Sequence, residues 1–199
     1  MNATELKRLF QQVRAGDLSP DDAVQKLRHM PFEDLGFAKV DHHRALRVGM
    51  PEVIFGPGKA PAHLAGIFEK LADRGNNVLA TRVSAEQVKA VRKRLRKVDF
   101  NEVARTLTLR QSDARIGKGK IVIVSAGTSD VPVAEEAAVT ADLMGNEVAR
   151  VYDVGVAGIH RLLAHKAELS EARVLVVCAG MEGALPSVVG GLVGVPVIA

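Results

Sequence analysis

Lys120-Ile-Val-Ile-Val-Ser-Ala-Gly-Thr-Ser-Asp130 and Arg173-Val-Leu-Val-Val-Cys-Ala-Gly-Met-Glu-Gly183 are two versions of one device. Each drives a short apolar run into Ala-Gly and then into a small or polar loop. Val/Ile runs without polar alternation suit strands of a parallel sheet covered on both faces. Helical segments follow both loops, so the two Ala-Gly turns open at the carboxyl edge of the strands, where ligands of open α/β sheets bind.

The segments between and around them extend the pattern. Val131 to Met144 predicts a helix of small residues ended by Gly145, and Glu147 to Tyr152 a strand. Asp153-Val-Gly-Val-Ala-Gly-Ile-His-Arg161 then delivers His160 and Arg161 at a helix start, and Val195 to Ala199 begins one more strand. The order fits right-handed crossovers in a doubly wound sheet. Gly190 and Gly191 within a helix cost about 1 kcal/mol each against alanine, which predicts close packing of another backbone or subunit there. Cys178, the single cysteine, lies in a strand and reads as a small core residue.

Charge divides the chain. Residues 121–199 hold four Lys/Arg against nine Asp/Glu, whereas residues 1–120 hold 23 against 14. With Gly117 and Gly119 nearby, this predicts a junction that separates a basic domain, 1–118, from an acidic one, 119–199. In the basic domain, Ala3 to Ala15 and a segment started by Ser19-Pro20-Asp21-Asp22 predict a helical hairpin. Phe32 to Arg47 shows no clear period, and its Asp41-His42-His43-Arg44 reads as a surface or ligand-facing turn. Then follow a strand at Glu52 to Phe55, the turn Gly56-Pro57-Gly58-Lys59, a helix from Pro61 to Arg74, a strand at Val78 to Arg82, a helix from Ala85 to Lys97 and an exposed strand at Val103 to Leu109. The Gly-Pro-Gly-Lys turn lacks the spacing of a triphosphate loop, although its amides and Lys59 suit an anion. The expected class is α/β: a C-terminal doubly wound parallel sheet, flavodoxin-like, with a smaller N-terminal α/β domain preceded by a helical hairpin.

No apolar run reaches the roughly 18 to 20 residues of a membrane span, and the N-terminal stretch lacks a secretory apolar core, so a cytoplasmic location and no membrane partner are expected. Among candidate site residues, the amides and hydroxyls of Ser125, Ala126, Gly127, Thr128 and Ser129 suit a phosphate. Asp130 sits badly in a pure phosphate pocket unless it caps the helix, meets a cation or moves protons. A histidine can pass protons and an arginine can fork onto phosphate, so the pair His160-Arg161 suits an anionic substrate. Glu182 stands at a helix start between Gly180-Met181 and Gly183.

The combination SAGTSDVPVAEEAA (Ser125 to Ala138), DVGVAGIHRL (Asp153 to Leu162) and AGMEGALPSVVGGL (Ala179 to Leu192) resembles the pyridinium-3,5-biscarboxylic acid mononucleotide synthases, the LarB family of nickel pincer nucleotide biosynthesis. The likeness extends over the whole chain. The same loops are more distantly similar to the purine-pathway carboxyaminoimidazole ribonucleotide mutases, the PurE group, but the third loop here has Met181-Glu182-Gly183 in place of the mutase histidine. The resemblance implies a PurE-like fold for 119–199 and an enzyme that carboxylates the pyridinium ring of nicotinic acid adenine dinucleotide with carbon dioxide and hydrolyses the phosphoanhydride, releasing AMP. It implies Asp130, Glu182 and His160 as catalytic groups, and Ser125 to Ser129, Asp153, Arg161, Gly180, Met181 and Gly183 as substrate-binding ones. Mg2+ is expected, with Asp130 and Glu182 as ligands, and no organic cofactor. Homo-oligomers are expected as well. The family's cysteine nucleophile follows the Pro196-Val-Ile-Ala199 segment, so Cys178 is not assigned that role and the natural chain is expected to continue. Two rival readings are a purine-type mutase and a nucleic-acid-binding module using the basic helix around Lys89 to Lys97; with few aromatic partners for bases, nucleic acid is not the expected ligand.

Overall fold

The structure is a computed structural model that describes residues 3–28 and 32–199. Its contacts divide the chain into two compact units, residues 1–99 with 108–112, and residues 100–107 with 113–199.

In the first unit, α1 (Ala3–Ala15) and α2 (Pro20–Arg28) form the expected hairpin. Ser19 Oγ accepts the Asp22 amide at 3.0 Å and so satisfies one of the orphan donors of the α2 N-terminus. Leu9 and Ala23 are buried, while Phe10 stays half exposed. The segment without a clear period resolves into a short antiparallel ladder, β1 (Glu33–Asp34) with β2 (Lys39–Val40), and a single helical turn, α3 (Arg44–Val48). His42 is not on a surface turn: it is buried, and its Nε2 lies 3.0 Å from Glu33 Oε2, because the ladder puts Glu33 opposite Val40.

β3 (Val53–Phe55) runs parallel to β4 (Val78–Thr81), with α4 (Pro61–Ala72) between them and α5 (Ala85–Arg92) after. Helix α4 buries Leu64, Phe68 and Leu71, and α5 buries Val88 and Val91. Ser84 and Gln87 build a reciprocal capping box at the α5 start. Helix α5 ends at Arg92, five residues before the expected Lys97. Continuing it would stack like charges one turn apart, Arg92 over Arg96 and Lys93 over Lys97; instead the Arg94 amide closes the last turn on Val91 O at 2.9 Å. β5 (Asp99–Asn101) and β6 (Thr106–Leu109) complete a mixed sheet ordered β3-β4-β6-β5. The expected exposed strand is therefore interior, with Thr106 and Leu107 fully buried.

The second unit is a parallel sheet of β7 (Lys120–Ser125), β8 (Glu147–Val151), β9 (Val174–Cys178) and β10 (Val197–Ile198), ordered β10-β9-β7-β8. The first strand stands inside and the order of strand addition reverses beside it, a doubly wound, flavodoxin-like arrangement. Helix α6 (Val131–Leu143) covers one face through Ala134 and Ala138 against Ile123. On the other face α7 (Ile159–Ala164), α8 (Lys166–Glu171) and α9 (Ala184–Leu192) bring Leu162, Leu169, Leu185 and Val189 onto Val122, Val124, Leu175 and Val177. Among the described residues nothing fills the side-chain direction of Gly190 or Gly191: a Cβ at either would meet nothing within 4 Å. Gly117 is tightly held, its Cβ direction filled by Asn146, while its amide donates to Gly145 O at 3.1 Å. Among the described residues no helix is long and apolar enough to cross a membrane.

Candidate functional site

Three loops leave the carboxyl edge of the second unit's sheet and enclose a cleft of about 450 Å³. The first follows β7, the second follows β8 and the third follows β9. Pairing of β7 with both neighbours puts their ends side by side, Val124 opposite Val151 and Ser125 opposite Cys178.

Asp130 organises the cleft. Its Oδ2 accepts the Gly127 amide at 2.8 Å and its Oδ1 accepts the Gly180 amide at 2.8 Å, so one carboxylate clasps the first loop to the third across a separation of 50 residues. The carboxylate does not cap α6; it reaches back over the 3-10 turn Thr128–Asp130 that precedes the helix. The second loop is tied to the first differently. Ser125, fully buried, accepts the Asp153 amide on Oγ at 3.3 Å, and its carbonyl accepts Val154 N–H at 3.1 Å. Gly155 then passes so close to Ala126 that a Cβ would lie 2.9 Å from the Ala126 carbonyl oxygen.

Arg161 Nη1 donates to Asp153 Oδ2 at 2.6 Å, and its guanidinium fills the space a side chain at Gly158 would need. Asp153 and Met181 hold φ of 58° and 45°, left-handed values unusual for residues with a Cβ. Strain of this kind gathers at ligand sites. Met181 is fully exposed at the cleft mouth, beside exposed Glu182.

Of the residues singled out in the sequence, Ala126, Gly127, Ser129, Asp130, Asp153, Arg161, Gly180, Met181 and Glu182 line the cleft. Ser125 lies beneath it as a buried support, Thr128 and His160 are exposed and not among the lining residues, and Gly183 takes a left-handed turn into α9. Gly155, Val156, Ala157, Ala179 and Leu185 line it as well. Their signal was the small-residue run Gly155-Val-Ala-Gly158, which lets the second loop approach the first.

Cys178 ends β9 at the base of the third loop, half-buried against the α6 side of the sheet. Burial, and then the Asp130 charge, push its thiol pKa up, so it stays protonated and poorly nucleophilic. At the end of β8, on the other side of β7, Glu135 Oε1 accepts Arg150 Nε and Tyr152 Oη, both at 2.8 Å, and Oε2 accepts Asn101 Nδ2 at 3.3 Å. Burial and the Glu135 carboxylate raise the Tyr152 pKa, and the hydroxyl serves as a fixed donor that anchors the strand end before Asp153.

The cleft's charge balance bears on metal binding. Asp153 is paired with Arg161 and Asp130 accepts two amides, whereas among the described residues no ion pair holds the Glu182 carboxylate. Among the described residues no three His, Cys, Asp or Glu side chains cluster for a metal ion. Mg2+ nonetheless is held by one or two carboxylates when substrate phosphates complete its shell, and Glu182 with the remaining lone pairs of Asp130 fits that limited donor set.

Residues 32–111 match the family model described as LarB/PurE-like N-terminal domain. The chain is also 37% identical over 204 aligned positions to the uncharacterized protein MJ0165 of Methanocaldococcus jannaschii, across 97% of this chain and 79% of that protein.

Proposed function

The chain belongs to the LarB/PurE-like family, which is of carboxylase and mutase type, and from that premise we propose that its cleft takes nicotinic acid adenine dinucleotide for ring carboxylation and phosphoanhydride hydrolysis. The observation that carries the reading is the Asp130 clasp, which presents two glycine loops to one space at the carboxyl edge of a parallel sheet. Glycines allow a dinucleotide backbone to approach closely, and with the Gly127 and Gly180 amides held by Asp130 the phosphate contacts fall to other groups of the cleft wall.

In this scheme Arg161, oriented by Asp153, anchors a phosphate or the nicotinate carboxylate, and Ser129 contributes a hydroxyl. Glu182 accepts a proton from the water that attacks phosphorus, while the AMP phosphate oxygen departs with the bond electrons. Mg2+ held by Glu182 and Asp130 would neutralise phosphate charge in a cleft that is rich in carboxylates. Carboxylation is the other half. A cationic pyridinium resists an electrophile, so a thiolate must first add to give a neutral, enamine-like ring that attacks carbon dioxide, after which loss of the ring proton and departure of the thiolate restore the aromatic cation. Cys178, with its raised pKa, is not that thiolate. The products are pyridinium-3,5-biscarboxylic acid mononucleotide and AMP, as in nickel pincer nucleotide biosynthesis.

The test is AMP release from nicotinic acid adenine dinucleotide with bicarbonate and Mg2+, followed by chromatography. Glu182→Gln should retain dinucleotide binding and lower AMP release by about 100-fold, as for loss of a general base. Unchanged release would remove Glu182 from the reaction, and turnover of an aminoimidazole ribonucleotide instead would reassign the cleft to the mutase chemistry.

A further inference from the structure

The turn Gly56-Pro57-Gly58-Lys59 is not used by the scheme above, yet the first unit builds it with care. β3 and β4 pair in parallel with Phe55 opposite Thr81, so the loops after them emerge together at the carboxyl edge, the usual ligand edge of such strands. The Gly56 amide donates to Thr81 O at 2.9 Å, and a Cβ on Gly56 would lie 2.8 Å from that same oxygen. Gln87, buried, donates to Gly56 O at 2.7 Å and to Lys59 O at 2.8 Å, while its Oε1 accepts the Ser84 amide at 2.9 Å. Two loop carbonyls are thereby turned inward, away from any ligand, which leaves the exposed Lys59 side chain on the outer surface of the turn.

The neighbouring loop supplies the complement. Arg82 is exposed and held at φ 52°, and its guanidinium carbon lies 5.7 Å from the centroid of the Phe55 ring, which is itself 51% exposed. A flat cation stacked on an aromatic ring is a surface on which a nucleobase stacks, and a lysine ammonium is a point charge for phosphate. Val83, next in sequence, is buried, so Arg82 is presented outward from a fixed backbone.

We propose that Lys59, Arg82 and Phe55 form a nucleoside monophosphate site in the first unit, with Lys59 on the phosphate and the Arg82–Phe55 pair under the base. This assignment does not depend on the reaction proposed for the second unit's cleft.

The test is an amide-resolved NMR titration of the 199-residue chain with AMP, with inorganic phosphate as the comparison. AMP should shift the Gly58, Lys59 and Arg82 amides saturably, and phosphate should move them with at least about tenfold weaker affinity because it has no base to stack. Lys59→Ala should weaken the AMP response at those amides by about tenfold or more, as for a lost charge-assisted contact. Arg82→Gly should weaken it similarly in a chain that still folds cooperatively, since glycine adopts the left-handed backbone without strain. AMP shifts confined to Gly127 and Gly180, equal affinity for phosphate, or an unaltered response in Lys59→Ala would each overturn the site. The cleft amides report on the dinucleotide reading separately, so either reading can fail alone.

Discussion

At the scale of single residues, Asp130 and Cys178 are linked in a way that can be measured. Asparagine at position 130 keeps one acceptor but turns an amide donor toward either the Gly127 or the Gly180 N–H, opening the clasp. Asp130→Asn should cost about 1 to 2 kcal/mol of stability, read from chemical denaturation, since one amide loses its partner in a part-exposed setting. The same substitution removes one of the two causes that raise the Cys178 pKa. Iodoacetamide should therefore label Cys178 faster in Asp130→Asn than in the parent at every pH below the thiol's titration; equal rates would detach the thiol from the Asp130 charge. The identities of Gly127, Asp130 and Gly180 alone cannot reveal such a clasp, because nothing in the chain order says that Gly180 meets Asp130.

At the scale of elements, close approach sets the tolerance of the loops. Gly155→Ala places a methyl group 2.9 Å from the Ala126 carbonyl, and Gly56→Ala one 2.8 Å from Thr81 O. Each contact is to backbone that cannot rotate away, so each should destabilise by about 1 to 3 kcal/mol in thermal or denaturant unfolding. Gly190→Ala, with open space at its Cβ, should be neutral or stabilising within this chain, by up to about 1 kcal/mol. A large loss there would show that another molecule packs against the glycine. The strands and helices of the second unit were legible because continuous apolar runs, Ala-Gly turns and Gly145 are local signals. The end of α5 and the burial of Thr106 were not, since one depends on like charges accumulating and the other on a place inside a sheet that strand alternation does not encode. The cleft's lining loops could be read from the sequence as polar and glycine-rich, but His160 and Thr128, polar and suitably spaced, are turned to solvent outside the cleft.

At the scale of the whole molecule, stability should depend on pH through His42 and Glu33. Burial lowers the His42 pKa below its ordinary 6.5, against an opposing hydrogen bond to Glu33 and with help from the Arg74 charge. The folded state therefore binds fewer protons than the unfolded one in that range, so His42's contribution is fully present above pH 6.5 and is lost as pH falls through the folded value. Burial works to raise the Glu33 pKa, but hydrogen bonds and charge from His42 and Lys70 win and lower it below 4.5, so its contribution is present above pH 4.5 and fades further down. Denaturation midpoints should rise between pH 5 and 7, and His42→Gln should flatten that upper limb and also weaken the lower one, because His42 is one of the groups that hold the Glu33 pKa down. Binding of a nicotinate dinucleotide in the clasped cleft is read by calorimetric titration of nicotinic acid adenine dinucleotide into the 199-residue chain with NAD as control. Saturable binding that favours the nicotinate form and weakens by at least about tenfold in Asp130→Asn is the predicted result. Absence of binding to a folded chain, or affinity indifferent to both the carboxylate of the ligand and the clasp of the protein, would contradict it.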